Sequence, residues 1–198
     1  MAKSISRRDV LRSLTIGVTA GSVLSVIPIE AAEHAHKAIA KEKATAPSGT
    51  YSPKFFSPAQ YKTLNALCGT IFPADADSGG AIEAGAPEFI DLLTSENTNY
   101  QLMLGGGLLW LDSTCNDHYG ATYLNCSAQQ QKEILDLIAY RKNADTDPGV
   151  SQGITFFSFL RNLTADGFFT SEIGIKYLGY VGNTVLREFP GCPPVPEA

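Results

Sequence analysis

Three histidines, four cysteines and one Asp-rich loop are the residues of this 198-residue chain best suited to chemistry. Their spacing builds few sites. Only His118 lies in what reads as the folded body; His34 and His36 fall in a leader or linker. A zinc or haem centre needs several strong ligands at fitting spacing, which a lone His cannot supply. There is no C-x-x-C-H for covalent haem and no C-x-x-C for zinc or redox exchange. Gly105-Gly106-Gly107 follows no strand pattern and reads as a place for close helix packing rather than a dinucleotide loop. No G-x-S-x-G elbow is present to activate a serine. Asp75-Ala76-Asp77-Ser78-Gly79-Gly80 opens like a calcium loop, with Gly at the sixth position, but the twelfth is Ala86 instead of a bidentate Glu. It reads as a polar turn. The expectation is a chain with no catalytic, cofactor-binding or metal-binding residue of its own.

The cysteines suggest crosslinks instead. Cys115 and Cys126 flank the expected turn between two helices and form the preferred intrachain disulfide, contributing about 2–3 kcal/mol by loop closure. Cys68 sits on the apolar face of a helix, as a buried thiol would. Cys192 lies in an extended Pro-rich tail. Two readings stay open for it: pairing with Cys68 to complete an even count, or a contact with, even a disulfide to, another chain.

The elements that must position these residues read as helices. Ser57-Pro58-Ala59-Gln60 carries an N-cap, a Pro at the first helical position and a capping-box Gln. Leu64, Leu67, Cys68 and Ile71 follow at helical spacing, and Pro73 stops the helix. Ala86-Pro87 starts a second helix with Phe89, Ile90, Leu92 and Leu93. A third is expected from about Tyr100 to His118, with Leu102, Leu109 and Trp110 on its apolar side. The three glycines at 105–107 weaken it by roughly 1 kcal/mol each. Ser127-Ala128-Gln129-Gln130 repeats the capping box and opens a helix through Ile134, Leu135 and Ile138 to Arg141. Ile154–Leu163 reads as a fifth helix, and Ser171 caps a last one from Glu172 to Glu188. Phe189–Pro196 must run extended. No segment alternates long enough for a sheet, so the expected fold is all-α: a single helical domain over 55–198 with a Pro-rich C-terminal tail, preceded by an extended N-terminal arm.

Composition permits such a core, with 44% hydrophobic and 18% charged residues. A net charge of −5 argues against nucleic acid as a partner. The charge is uneven: residues 1–32 hold Lys3, Arg7, Arg8 and Arg12 against Asp9 and Glu30, leaving an acidic body. Leu14–Ile27 is uncharged but too short to span a bilayer, which takes about 20 helical residues. With the basic residues before it, it reads as an export signal. Ser6-Arg7-Arg8-Asp9-Val10-Leu11-Arg12 resembles the twin-arginine signal, with Arg7 and Arg8 as the pair. Ile29-Glu30-Ala31 and Ala38-Ile39-Ala40 are both possible cleavage motifs. Residues 33–54 read as a solvated linker or partner-wrapping arm.

Several separated motifs now occur in order: Phe55–Leu64, Ile71-Phe72-Pro73-Ala74-Asp75, Gly80–Asp91, Gly167-Phe168-Phe169-Thr170-Ser171-Glu172, Gly179-Tyr180-Val181-Gly182 and Phe189-Pro190-Gly191-Cys192-Pro193. Together they are similar to the gluconate 2-dehydrogenase subunit 3 family, over about residues 55–193. The resemblance implies the small subunit of a periplasmic, membrane-associated dehydrogenase for sugars, sugar acids or sugar alcohols. In such complexes FAD belongs to a large flavoprotein subunit of the glucose–methanol–choline type, and haem c to a possible third, cytochrome subunit. The small subunit is expected to assist maturation and to supply the address read by the twin-arginine translocase. The leader fits, since that route carries folded cargo and this chain has no cofactor motif. The alternative is a free-standing exported helical protein binding a ligand or a metal, the latter through its cysteines and Asp75/Asp77.

Overall fold

The computed structural model describes residues 29–180 and 182, and among these every regular element is helical. The elements are α1 (Ile29–Thr45), α2 (Pro58–Ile71), α3 (Ala86–Glu96), α4 (Gly106–Tyr119), α5 (Ala128–Ala139), α6 (Ser151–Phe169) and α7 (Glu172–Tyr177). A short turn, Thr98–Tyr100, and a π-helical turn, Gln101–Gly105, lead directly into α4. No described helix is long and apolar enough to cross a membrane. Arg7, Arg8 and Cys192 lie outside the described residues.

Both capping boxes form. The Ser57 hydroxyl accepts the Gln60 N–H while the Gln60 side chain accepts the Ser57 N–H, and Ser127 and Gln130 repeat the exchange. Each pair satisfies two of the donors that a helix start leaves without partners. The long α6 is the hub of the bundle, packing against α2, α3, α4, α5 and α7. It buries Ile154, Phe156, Phe157, Leu160, Leu163 and Phe168, while Leu64, Leu67, Phe89 and Ile90 come to the core from α2 and α3.

Three expectations change. First, the arm over 33–54 is largely helical. Its Ala-rich sequence favours a helix, and Ala31, Ala32, Ala35 and Ile39 recur on one face and are buried. The helix packs on α3, tied by a Lys43–Glu88 ion pair of 2.7 Å. Its Lys, Glu and Ser residues, with Pro47, Gly49 and Pro53, made this segment look like a linker, yet its small alanines let a helix approach closely.

Second, of the expected apolar side Leu102, Leu109 and Trp110, only Trp110 packs against the core, beside Gly153; the π-helical turn and α4 bury a different set of residues. Leu104, Gly107, Leu108, Leu111 and Cys115 face the core, whereas Leu102 and Leu109 are 71% and 65% exposed. The segment is apolar all round, so periodicity could not choose between its faces. Gly107 chooses: its missing side chain makes room for Phe156 of α6, as a Cβ there would stand 2.0 Å from the Phe156 ring.

Third, the last helix stops at Tyr177. Gly179 adopts φ +66°, a left-handed conformation open to glycine without strain, and the Tyr180 N–H returns to the Ile175 carbonyl.

Candidate functional site

The described chain gathers no group of three or more His, Cys, Asp or Glu able to hold a metal ion. Asp75 is spent on its own loop: Oδ1 accepts the N–H groups of Asp77 and Ser78 at 2.9 and 2.8 Å, and these bonds hold its carboxyl below the usual range. His118 is exposed near the end of α4. Cys68 is wholly buried, with its sulfur 3.6 Å from the Thr164 hydroxyl, and burial pushes its thiol up to about 12.

Cys115 and Cys126 do come together. Cys115 ends the buried stripe of α4, and Cys126 sits immediately before the Ser127 cap of α5. In the structure both are free thiols rather than a disulfide, with Cys126 neighbouring Cys115 and its Sγ 3.8 Å from the Ala121 carbonyl. The loop between them is held by its own bonds: Asp112 Oδ1 accepts the Tyr123 N–H at 2.9 Å, and the Gln131 amide donates to the Tyr123 carbonyl at 2.8 Å. Tyr123 itself is 1% exposed.

Two polar positions that the sequence did not single out organise the opposite side. Asp91, on α3, is fully buried. Its Oδ2 accepts the Tyr51 hydroxyl at 2.8 Å and the Lys54 N–H at 2.6 Å, and its Oδ1 accepts the N–H groups of Phe55 and Phe56 at 3.1 and 3.0 Å. One carboxylate thereby pins the connection between α1 and α2. His36, on α1, stacks on Phe89 with ring centroids 5.0 Å apart, and its Nε2 lies 2.9 Å from the Thr170 hydroxyl. Burial holds its pKa below the ordinary value. The available hint for Asp91 was a carboxylate inside the apolar run Phe89-Ile90-Asp91-Leu92-Leu93; His36 gave no hint once its segment was read as a linker.

Asp166, on α6, is pushed up from 3.8 to about 6 by partial burial. A carboxyl raised on folding binds its proton more tightly in the native state, so stability falls as pH rises from about 4 to about 6. The full linkage would be about 3 kcal/mol, and screening by water at this half-buried group reduces it to about 1 kcal/mol. We expect Asp166→Asn to stabilise the protein at pH 7 and to lose that advantage by pH 4. His36 works in the opposite direction, since its depressed pKa lowers stability as pH falls through about 6.5. Denaturation curves of both proteins across this range measure the difference, and parallel pH profiles would refute the assignment to Asp166.

The outer face of α4 is the other unusual feature. From Asn97 to Leu111 the sequence carries no charge. Leu102 and Leu109 point outward from this run, and between them a Cβ on Gly106 would meet nothing within 4 Å. A Cβ on Gly105 would meet the Phe55 ring 3.5 Å from its Cζ, so the connection pinned by Asp91 borders the same stripe. Such a surface has no means of doing chemistry and is suited to contact.

No curated protein and no solved structure matches the chain. The family model of gluconate 2-dehydrogenase subunit 3 matches residues 58–191, from the first helical residue of α2 into the Pro-rich tail and across nearly all of the bundle just described. On that match, the chain belongs to the gluconate 2-dehydrogenase subunit 3 family.

Proposed function

We propose that the chain is a non-catalytic accessory subunit of a periplasmic FAD-dependent dehydrogenase of the glucose–methanol–choline type, acting on sugars, sugar acids or alcohols. In this reading it assists the flavoprotein's maturation and twin-arginine export and remains bound to it. Family membership makes it a subunit of a dehydrogenase complex, associated with other dehydrogenase subunits. A multihaem cytochrome c is the natural third subunit, taking electrons to the membrane.

The observation that carries the reading is the uncharged outward stripe of Leu102, Gly106 and Leu109. The centres of stable interfaces are depleted in charge and built around apolar anchors. Glu96 and Asp112 bracket the run, so it lacks the basic flanks of a helix that binds an anionic membrane surface. The packing of α1 also bears on export. Cleavage after Ala40 would remove Ala31, Ala32, Ala35 and Ile39 from the core, whereas cleavage after Ala31 would keep most of that face. The earlier site therefore suits the fold better.

Co-expression with the FAD-binding subunit is the direct test. The flavoprotein should reach the periplasm active only when this chain is present, and the two should co-purify. Oxidation of a sugar by this chain alone, or full export of the flavoprotein without it, would end the proposal. Within the complex, Leu102→Glu with Leu109→Glu should weaken association at least about 100-fold, since two truncated or charged anchors cost about 1.4 kcal/mol or more each. Both side chains are exposed, so the helical content of the variant should match wild type. An unchanged dissociation constant would move the interface off α4.

A further inference from the structure

We propose that Cys115 and Cys126 are the halves of a disulfide that closes on exposure to a disulfide donor and fastens the end of α4 to the start of α5. The inference goes beyond the subunit assignment and rests on the placement of two buried, free thiols at the facing ends of α4 and α5. The two side chains are neighbours although neither chain segment depends on the other thiol for its place. Gly120 reverses the chain at φ +70°. The Asp112–Tyr123 and Gln131–Tyr123 bonds fix the loop, and the Gln131 amide also reaches the Cys126 carbonyl at 3.4 Å. Selectivity follows, because Cys68 is engaged with Thr164 in the core.

The chemistry balances as thiol–disulfide exchange. The donor is a disulfide, either oxidised glutathione or the oxidised dithiol of an exchange protein. Cys126 is 7% exposed and Cys115 is fully buried, so Cys126 attacks first. One donor sulfur leaves as a thiol, and a mixed disulfide remains on Cys126. Cys115 then attacks the Cys126 sulfur and expels the second donor thiol. Two electrons and two protons pass from the cysteine pair to the donor. Burial, with Cys126 alongside, pushes the Cys115 thiol up to about 12, so thiolate is scarce in the closed fold. Oxidation should therefore be slow in the native chain and fast when the loop over 120–127 opens or during refolding.

The test uses the full chain. It is reduced, then refolded in oxidised glutathione, alkylated and digested after Tyr119 and Tyr123, which places the two cysteines on separate fragments. We expect these fragments to remain joined, with a mass about 2 Da below their sum. The oxidised chain should melt about 5–10 °C above the reduced one. Cys115→Ala and Cys126→Ala should each abolish the oxidation-dependent shift, and either variant suffices should the other not fold. Alkylation of both cysteines after refolding, a crosslink from either to Cys68 or Cys192, or equal melting temperatures of the two forms would overturn the proposal.

Discussion

Replacing Asp91 with alanine should lower the stability of the domain by about 4 kcal/mol, read as a loss of roughly 12 °C in melting temperature for a chain of this size. The substitution strands four donors in a site that excludes water: the Tyr51 hydroxyl and the N–H groups of Lys54, Phe55 and Phe56. A buried donor left unsatisfied costs about 1–3 kcal/mol, and partial relaxation keeps the total below the simple sum. Asparagine should do little better. Each carboxylate oxygen accepts two donors, so either orientation of the amide turns its NH2 toward a pair of donors. Tyr51→Phe, which removes only one partner and leaves three N–H groups on the carboxylate, should cost about 1 kcal/mol. The order Ala, Asn, then Phe at Tyr51 is the signature to look for in chemical denaturation. Limited proteolysis after Lys54 should accelerate in the two Asp91 variants. A loss below about 1 kcal/mol for Asp91→Ala would mean that the 51–56 connection is held by something else.

The second large effect is at Gly107. In an exposed helix, Gly→Ala stabilises by about 1 kcal/mol, and Gly106, where a Cβ meets nothing within 4 Å, should show that gain. Its neighbour should show the reverse. A Cβ on Gly107 would lie 2.0 Å from Cδ2, 2.2 Å from Cγ and 2.7 Å from Cβ of Phe156. The last distance decides the matter, because rotating the ring away does not move Phe156 Cβ. Helices α4 and α6 must separate, and overpacking of this kind costs about 3 kcal/mol even after the helix-propensity gain is counted. Opposite signs at adjacent glycines, measured in one denaturation series, test the crossing directly. A Gly107→Ala variant as stable as wild type would show that α4 and α6 do not approach as described.

These two sites also show where the sequence stops being sufficient. The all-α class, the starts of α2 and α5 and the end of α2 at Pro73 were legible, because capping boxes, proline stops and 3.6-residue spacing are local properties. The nearness of Cys115 and Cys126 was legible for the same reason, since a short turn between two helices leaves little room to part them. The order of the separated motifs likewise pointed to the family that the match over residues 58–191 establishes.

Other features required the assembled fold. Nothing local distinguishes Leu102 and Leu109 from Leu104, Leu108 and Leu111. The contact between Gly107 and Phe156, residues 49 positions apart in the chain, selects the buried face and leaves the other outward. The helix at Ile29–Thr45 is in the same position: its alanines are as compatible with a linker as with a packed face until α3 lies beside them. Asp91 is a surface residue by type and a core residue by its four donors, all from a segment more than 30 positions earlier. The sequence alone therefore determined the kinds of element and where most of them begin, since those depend on neighbours a few residues away. Which faces meet, which charge is buried and which apolar stripe is left outward were decided by long-range packing, because these are properties of pairs of elements.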